Sequence, residues 1–287
     1  MYRVYELCPE RLLSPYKTFE CGQCFRWNPD GSGGYTGAAS GRAARVFALG
    51  GTACVECEEA DIGFWRDYLD MGTDYDAARE SVMRGEYLTD CARTGEGIRI
   101  LRQDKWEALC SFIISQCNNI PRIKSIVEKL CELFGEPFET PWGLRYAFPP
   151  AERVALLEEP ELAPLHAGYR APYIINAARA VASGDMDLDA AAGMDADAAR
   201  AYLKTLSGVG DKVANCAVLF GLHRLDAFPI DVWIKRALRE HMPPDFDPKT
   251  LGEYAGLAQQ YMFFAERAVP ADNASLRVGG KSGRAAR

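Results

Sequence analysis

Hydrophobic positions along this chain follow two different patterns. Up to about residue 60, fragments such as Lys17–Trp27 and Cys54–Cys57 carry β-branched and aromatic residues and are broken by glycine-rich turns at Asp30–Gly34 and Gly50–Gly51. That combination predicts short strands joined by tight turns. From Asp61 the period becomes helical. Apolar residues recur at i, i+3, i+4 and i+7 in Trp106, Leu109, Cys110, Ile113 and again in Ile123, Ile126, Val127, Leu130. Further runs are Ile174, Ala177, Ala178, Val181, then Ala199, Tyr202, Leu203, Leu206, and last Leu251, Tyr254, Ala255, Ala258. Gly135 and Gly184 stand where helix stops are expected, and Pro172 where a first helical turn is expected. The pattern predicts an α+β protein: an N-terminal antiparallel sheet domain with helices over residues 1–103, then an all-helical domain over 104–275. Residues 276–287, with the sequence GGKSGRAAR at their end, read as a disordered basic tail.

Length and composition narrow this only a little. The 287 residues suit two domains, and 48% hydrophobic with 25% charged residues is ordinary for a globular chain. No apolar run approaches the ~20 residues of a membrane span, and MYRVYELCPE has no signal-peptide core. An intracellular protein, cytoplasmic or nucleoid-associated, is the expectation, with its ten cysteines mostly reduced. The net charge of −7 gives no support to a globally basic nucleic-acid binder, but a local basic groove can bind while the rest stays acidic.

Two C-x-x-C pairs, Cys21/Cys24 and Cys54/Cys57, invite a zinc site. The 29 residues between them exceed the usual ribbon spacing. In a strand, positions three apart point to opposite faces, so the second pair could not grip one ion. No metal site is expected from them.

More chemistry sits in Leu206–Cys216, LSGVGDKVANC. A helix ending at Leu206, a turn through Gly208, Val209 and Gly210, and a second helix from Asp211 make a helix-hairpin-helix. Glycines let backbone approach a surface closely, and N–H groups at a helix start can hold a phosphate. The bland reading is a helical connection that needs glycine for positive φ. Lys212 stands at the mouth of the second helix, where a cation is disfavoured, and Cys216 lies one turn on along the same face. Asp231, 19 residues after Lys212, precedes Ile234, Ala237 and Leu238 and so reads as an N-cap. If the two helix ends converge, its carboxylate can orient a nucleophilic amine and stabilise a cationic sugar.

These residues resemble the helix-hairpin-helix DNA glycosylases, and more narrowly the lysine-bearing 8-oxoguanine DNA glycosylases. The same resemblance is carried by Gly22-Gln-Cys-Phe-Arg-Trp27, Leu101-Arg-Gln-Asp104, Asn118-Asn-Ile-Pro-Arg122, Gly168-Tyr-Arg-Ala171 and Tyr254-Ala-Gly-Leu-Ala-Gln259, in family order over nearly the whole chain. It implies that Lys212 attacks the anomeric carbon, forming a covalent imine, and that Asp231 is the catalytic aspartate. It further implies that Cys216 and Phe263 stack on the two faces of a flipped base, that Gln259 reads its Watson–Crick edge, and that the Gly22 carbonyl accepts from N7–H. That hydrogen is present on 8-oxoguanine and absent from guanine. By the same resemblance Arg122 and Arg170 contact the orphaned cytosine, Asn118 and Asn119 fill the gap, and Tyr169 wedges against the neighbouring step. Taken alone, each arginine reads as solvated surface, Gly22 as a turn and Phe263 as a core aromatic.

The sequence departs from the family at Cys117, where another asparagine is common, and at Trp233, often a phosphate-contacting histidine. Ser207 and Asn215 replace a usual proline and aspartate. The expectation is a monomeric bifunctional glycosylase and strand-nicking lyase acting on duplex DNA that carries 8-oxoguanine opposite cytosine. It requires no organic cofactor, and the resemblance allows a monovalent cation on the hairpin carbonyls. The alternatives are a related glycosylase for another damaged base, whose relatives generally lack the lysine, and a non-catalytic hairpin module that only holds DNA.

Overall fold

In a computed structural model describing residues 1–268, the strand-rich N-terminus forms one five-stranded antiparallel sheet, in the order β1-β5-β4-β3-β2. The strands are β1 (Tyr2–Pro9), β2 (Trp27–Pro29), β3 (Tyr35–Ala39), β4 (Arg42–Leu49) and β5 (Thr52–Glu58). Asp30–Gly34 and Gly50–Gly51 supply the turns, as their composition predicts; both glycines of the second have positive φ. The tail over residues 276–287 lies outside the described residues.

One stretch differs from its predicted state. Lys17–Trp27 is mostly not strand: Pro15–Glu20 is a helix, α1, and pairing begins only at Trp27. Aromatic enrichment suggested a strand, but Pro15 fixes a helical first turn, and Phe19 is spent on the sheet core rather than on a pleat. Its ring stacks on Trp27 at 4.1 Å, while the Trp27 indole donates to the Tyr68 hydroxyl at 3.0 Å. Gly37, paired with Trp27 across the sheet, makes room for the indole, since a Cβ there would sit 2.2 Å from the ring.

Helices follow as α2 (Ile62–Tyr68), α3 (Tyr75–Val82), α4 (Gly85–Thr94), α5 (Lys105–Ile114) and α6 (Ile120–Phe134). A small hairpin, β6 (Pro137–Thr140) with β7 (Gly143–Tyr146), interrupts the helical series. Then come α7 (Ala151–Ala155), α8 (Ala171–Ser183), α9 (Leu188–Ala192), α10 (Ala196–Leu203), α11 (Asp211–Cys216), α12 (Val232–His241) and α13 (Ala255–Ala268). The Leu251–Ala258 periodicity spans a break: Gly252 has φ +74, so a short 3-10 turn precedes α13. α11 runs on into a π-helical turn, Ala217–Gly221, an irregularity often seen at functional sites.

Two apolar cores result. One lies under the sheet around Trp27, Trp65 and Leu69. The other joins all the long helices, and it includes α3 and α4, which precede residue 104 in the chain but pack against α13. The four C-x-x-C cysteines are buried, unbridged packing residues.

Candidate active site

α11 begins at Asp211 after Gly210, an N-cap with no side chain, so Lys212 stands in the first turn. Its Nζ donates to Ser115 Oγ at 2.8 Å and lies 5.6 Å from the centre of the Phe112 ring. Ser115 is buried at the end of α5 and passes its own hydrogen to the Phe112 carbonyl at 2.8 Å. The hydroxyl therefore turns its lone pairs towards the amine. Sequence reasoning had not singled out Ser115; only its side-chain contact across 97 positions identifies it.

Asp231 caps α12 as expected, accepting from the backbone N–H groups of Trp233 (3.0 Å) and Ile234 (2.9 Å). Lys212 and Asp231 line one cavity of about 830 Å³, within the ~300–1,000 Å³ typical of small-molecule sites. Cys216, one turn beyond Lys212, lies in the same wall. Burial pushes its thiol up to about 11, with Lys212 pulling down and Asp231 pushing up. A buried, protonated thiol is an apolar face suited to a flat ring.

Opposite walls come from distant segments. Gly22 (φ +78) and Phe263 line the cavity together, and a Cβ at position 22 would stand 3.3 Å from the Phe263 ring. Gln23 holds this turn: its amide donates to Thr18 O (2.9 Å) and Arg99 O (2.7 Å) and accepts from Leu101 N (2.9 Å). Gln103 in turn donates to Gln23 O at 2.7 Å. These side chains explain why Gly22-Gln23 and Leu101–Asp104 go together. Gln259 is buried in the cavity wall and accepts from Gln260 at 2.9 Å. Arg267 holds its guanidinium 5.2 Å from the Phe263 ring centre at the rim.

The expected DNA contacts are distributed unevenly. Asn118 and Asn119 line the cavity mouth, and Asn119 also caps α6 through Arg122 N at 3.0 Å. The Arg122 side chain is exposed and donates to His166 O at 3.2 Å. Tyr169 is 52% exposed, with Arg170 stacked on it at 4.4 Å. Arg170 is not the solvated residue its type suggests: it is 5% exposed, with its guanidinium donating to the carbonyls of Gln116, Ala167 and Cys117. It braces the loop that carries Cys117 and Asn118. In the hairpin, Gly208 has φ +80 and lies against the Tyr173 ring, while Val209 is buried and its N–H donates to Leu206 O at 3.1 Å. Gly210 is the exposed hairpin residue beside the cavity. Trp233 is 36% exposed at the rim, with the Arg236 guanidinium 4.9 Å from its ring centre.

The chain is similar to known proteins over most of its length. Residues 7–109 match the 8-oxoguanine DNA glycosylase N-terminal domain, and residues 110–251 the HhH-GPD superfamily of base excision DNA repair proteins. The chain is 30% identical to the N-glycosylase/DNA lyase OGG1 of Arabidopsis thaliana, covering 91% of this chain and 78% of that one. The solved structure of MBOgg1 with a low-affinity DNA ligand superposes with a TM-score of 0.86 at 37% identity, over 93% of this chain and 96% of that one. The 8-oxoguanine glycosylase/lyase of Clostridium acetobutylicum, bound to duplex DNA with cytosine opposite the lesion, gives 0.84 at 31%, over 93% and 98%.

Proposed function

Because the chain belongs to the 8-oxoguanine DNA glycosylase family of base excision repair enzymes, we propose that it excises 8-oxoguanine opposite cytosine from duplex DNA and then nicks the strand. The observation that carries this reading is the convergence of Lys212 and Asp231, at the starts of two separate helices, on one cavity that also holds Cys216, Phe263, Gln259 and Gly22.

Duplex binding is mostly electrostatic, and the lesion is extruded into the cavity between Cys216 and Phe263. The Lys212 amine attacks C1′ as the C1′–N9 bond breaks, and its electron pair leaves with the base, which takes up a proton. Asp231, fixed in place by two backbone donors, orients the amine and stabilises the positive sugar. Ring opening gives the imine. Removal of a C2′ proton then expels the 3′ phosphate by β-elimination, breaking the strand 3′ to the lesion. The Gly22 carbonyl accepts from N7–H of the lesion and faces an acceptor in guanine, a mismatch worth about 1–3 kcal/mol. The chemistry needs no organic cofactor. Carbonyl oxygens of the 207–210 turn are hard, neutral donors suited to a monovalent cation, which would add positive charge beside a phosphate. The protein acts as a monomer on intracellular DNA.

Lys212→Gln keeps length and polarity but cannot form an imine. Borohydride trapping on an 8-oxoguanine duplex is expected to vanish in this variant, and single-turnover excision to fall about a thousandfold or more, with binding retained. Undiminished trapping would remove Lys212 as the nucleophile. Release of an alkylated purine in place of 8-oxoguanine would move the substrate assignment to the alkylation-repair branch.

A further inference from the structure

Gln260 lies beside Gln259 in the wall of the cavity and is equally buried, at 3% exposure each. Its Nε2 donates to Gln259 Oε1 at 2.9 Å, while its own Oε1 is buried without a hydrogen-bond partner among the described residues. Buried amides ordinarily satisfy both ends. A leucine or methionine of similar volume would occupy the place with no orphaned acceptor, and the fold would be the more stable for it. Packing therefore does not account for an amide here.

The neighbouring amide does. The terminal torsion of a glutamine is broad and nearly twofold, so a free side chain presents its oxygen or its NH2 with similar ease. Gln259 is not free, because the donation from Gln260 fixes where its oxygen lies. We propose that Gln260 is a positioning residue for base selectivity, holding the Gln259 amide in the one donor–acceptor sense that matches a guanine-type edge. This inference rests on the reading that a flipped base enters the cavity. A guanine-type edge runs carbonyl acceptor, ring N–H donor, amino donor. An adenine-type edge offers an amino donor and a ring-nitrogen acceptor, which calls for the amide turned over. A fixed amide serves one of these edges; a freely turning one serves both.

Single-turnover excision of 8-oxoguanine and of 8-oxoadenine, in the same duplex opposite the same base, tests the assignment in Gln260→Leu and Gln260→Met. The preference for 8-oxoguanine is expected to fall about tenfold in both variants, while the thermal midpoint stays level or rises. In a Gln259→Ala background the same substitutions should change the preference no further, since Gln260 acts only through Gln259. An unchanged preference with a lowered midpoint would make Gln260 a packing residue and overturn the proposal. A loss that persists without Gln259 would also overturn it, by making Gln260 itself a reader of the base. A wild-type chain that neither excises nor traps on 8-oxoguanine would remove the glycosylase reading as well, a result distinct from an active wild type indifferent to Gln260.

Discussion

Two arginines with the same expected duty stand in opposite environments, and their substitutions should part accordingly. Arg122 is exposed, with one long bond to His166 O, so its fork is available for acceptor-rich base edges. Arg122→Ala is expected to reduce the preference for cytosine opposite the lesion by about tenfold, the scale of one lost bidentate contact, with the thermal midpoint unchanged. Arg170 is buried on three carbonyls of its own chain. Its removal takes the charged donors away from those carbonyls and frees the 116–118 loop, so Arg170→Ala should lower both the midpoint and the opposite-base preference. Excision measured against all four opposing bases, beside thermal denaturation, separates the two. If Arg122→Ala leaves the profile unchanged, Arg122 is not the reader. Residue type and motif position marked Lys212, Asp231, Gln259 and Phe263. They did not mark Ser115 or Gln260, and they placed Gln23 in a motif without giving it a part, because those parts depend on contacts that no local spacing encodes.

Among the elements, the hairpin turn joins a left-handed backbone to a close steric contact. Gly208 has φ +80, and a Cβ there would lie 2.2 Å from the Tyr173 ring of α8. Alanine would carry the left-handed strain, about 1–2 kcal/mol, and would also push the hairpin off α8. Gly184, at φ +82 with nothing within 4 Å of its Cβ position, isolates the strain alone. Gly208→Ala should therefore lower the thermal midpoint by clearly more than Gly184→Ala and weaken duplex binding, which Gly184→Ala should not touch. Equal shifts in the two variants would mean that Tyr173 imposes no constraint. Element boundaries were legible where caps announced them, as at Gly184 and Asp231. They were misleading at Lys17–Trp27, where aromatic content reflects the core that α1 covers rather than a strand.

At the scale of the whole molecule, the seam between the two cores carries a buried ion pair. Arg26, from the sheet side, faces Glu107 of α5 at 3.6 Å and donates to Tyr146 O in the β7 strand. Burial pushes the Glu107 carboxyl up to about 7 from its ordinary 4.5, although the Arg26 guanidinium opposes this. The fold binds this proton more tightly than the unfolded chain does, so stability from this group is fully present below 4.5 and is lost as pH rises through about 7. Glu107→Gln mimics the protonated form at every pH. The midpoint of the variant minus that of the wild type is expected to grow as pH is raised from 5 to 8. A difference independent of pH would mean that the carboxyl does not titrate in this range. The seam also shows where sequence reading stops. Period and composition marked the sheet-then-helix order apart from α1, and the motifs marked the candidate residues for the chemistry, because both are written in local spacing. Tertiary structure alone decided that α3 and α4 join the helical core, that Gln23 ties Gly22 to Arg99 and Leu101, and that Lys212 and Asp231 share a cavity. Those facts depend on packing between segments tens to hundreds of residues apart, where hydrophobic burial is indifferent to order along the chain and only shape and hydrogen-bond partners select the arrangement.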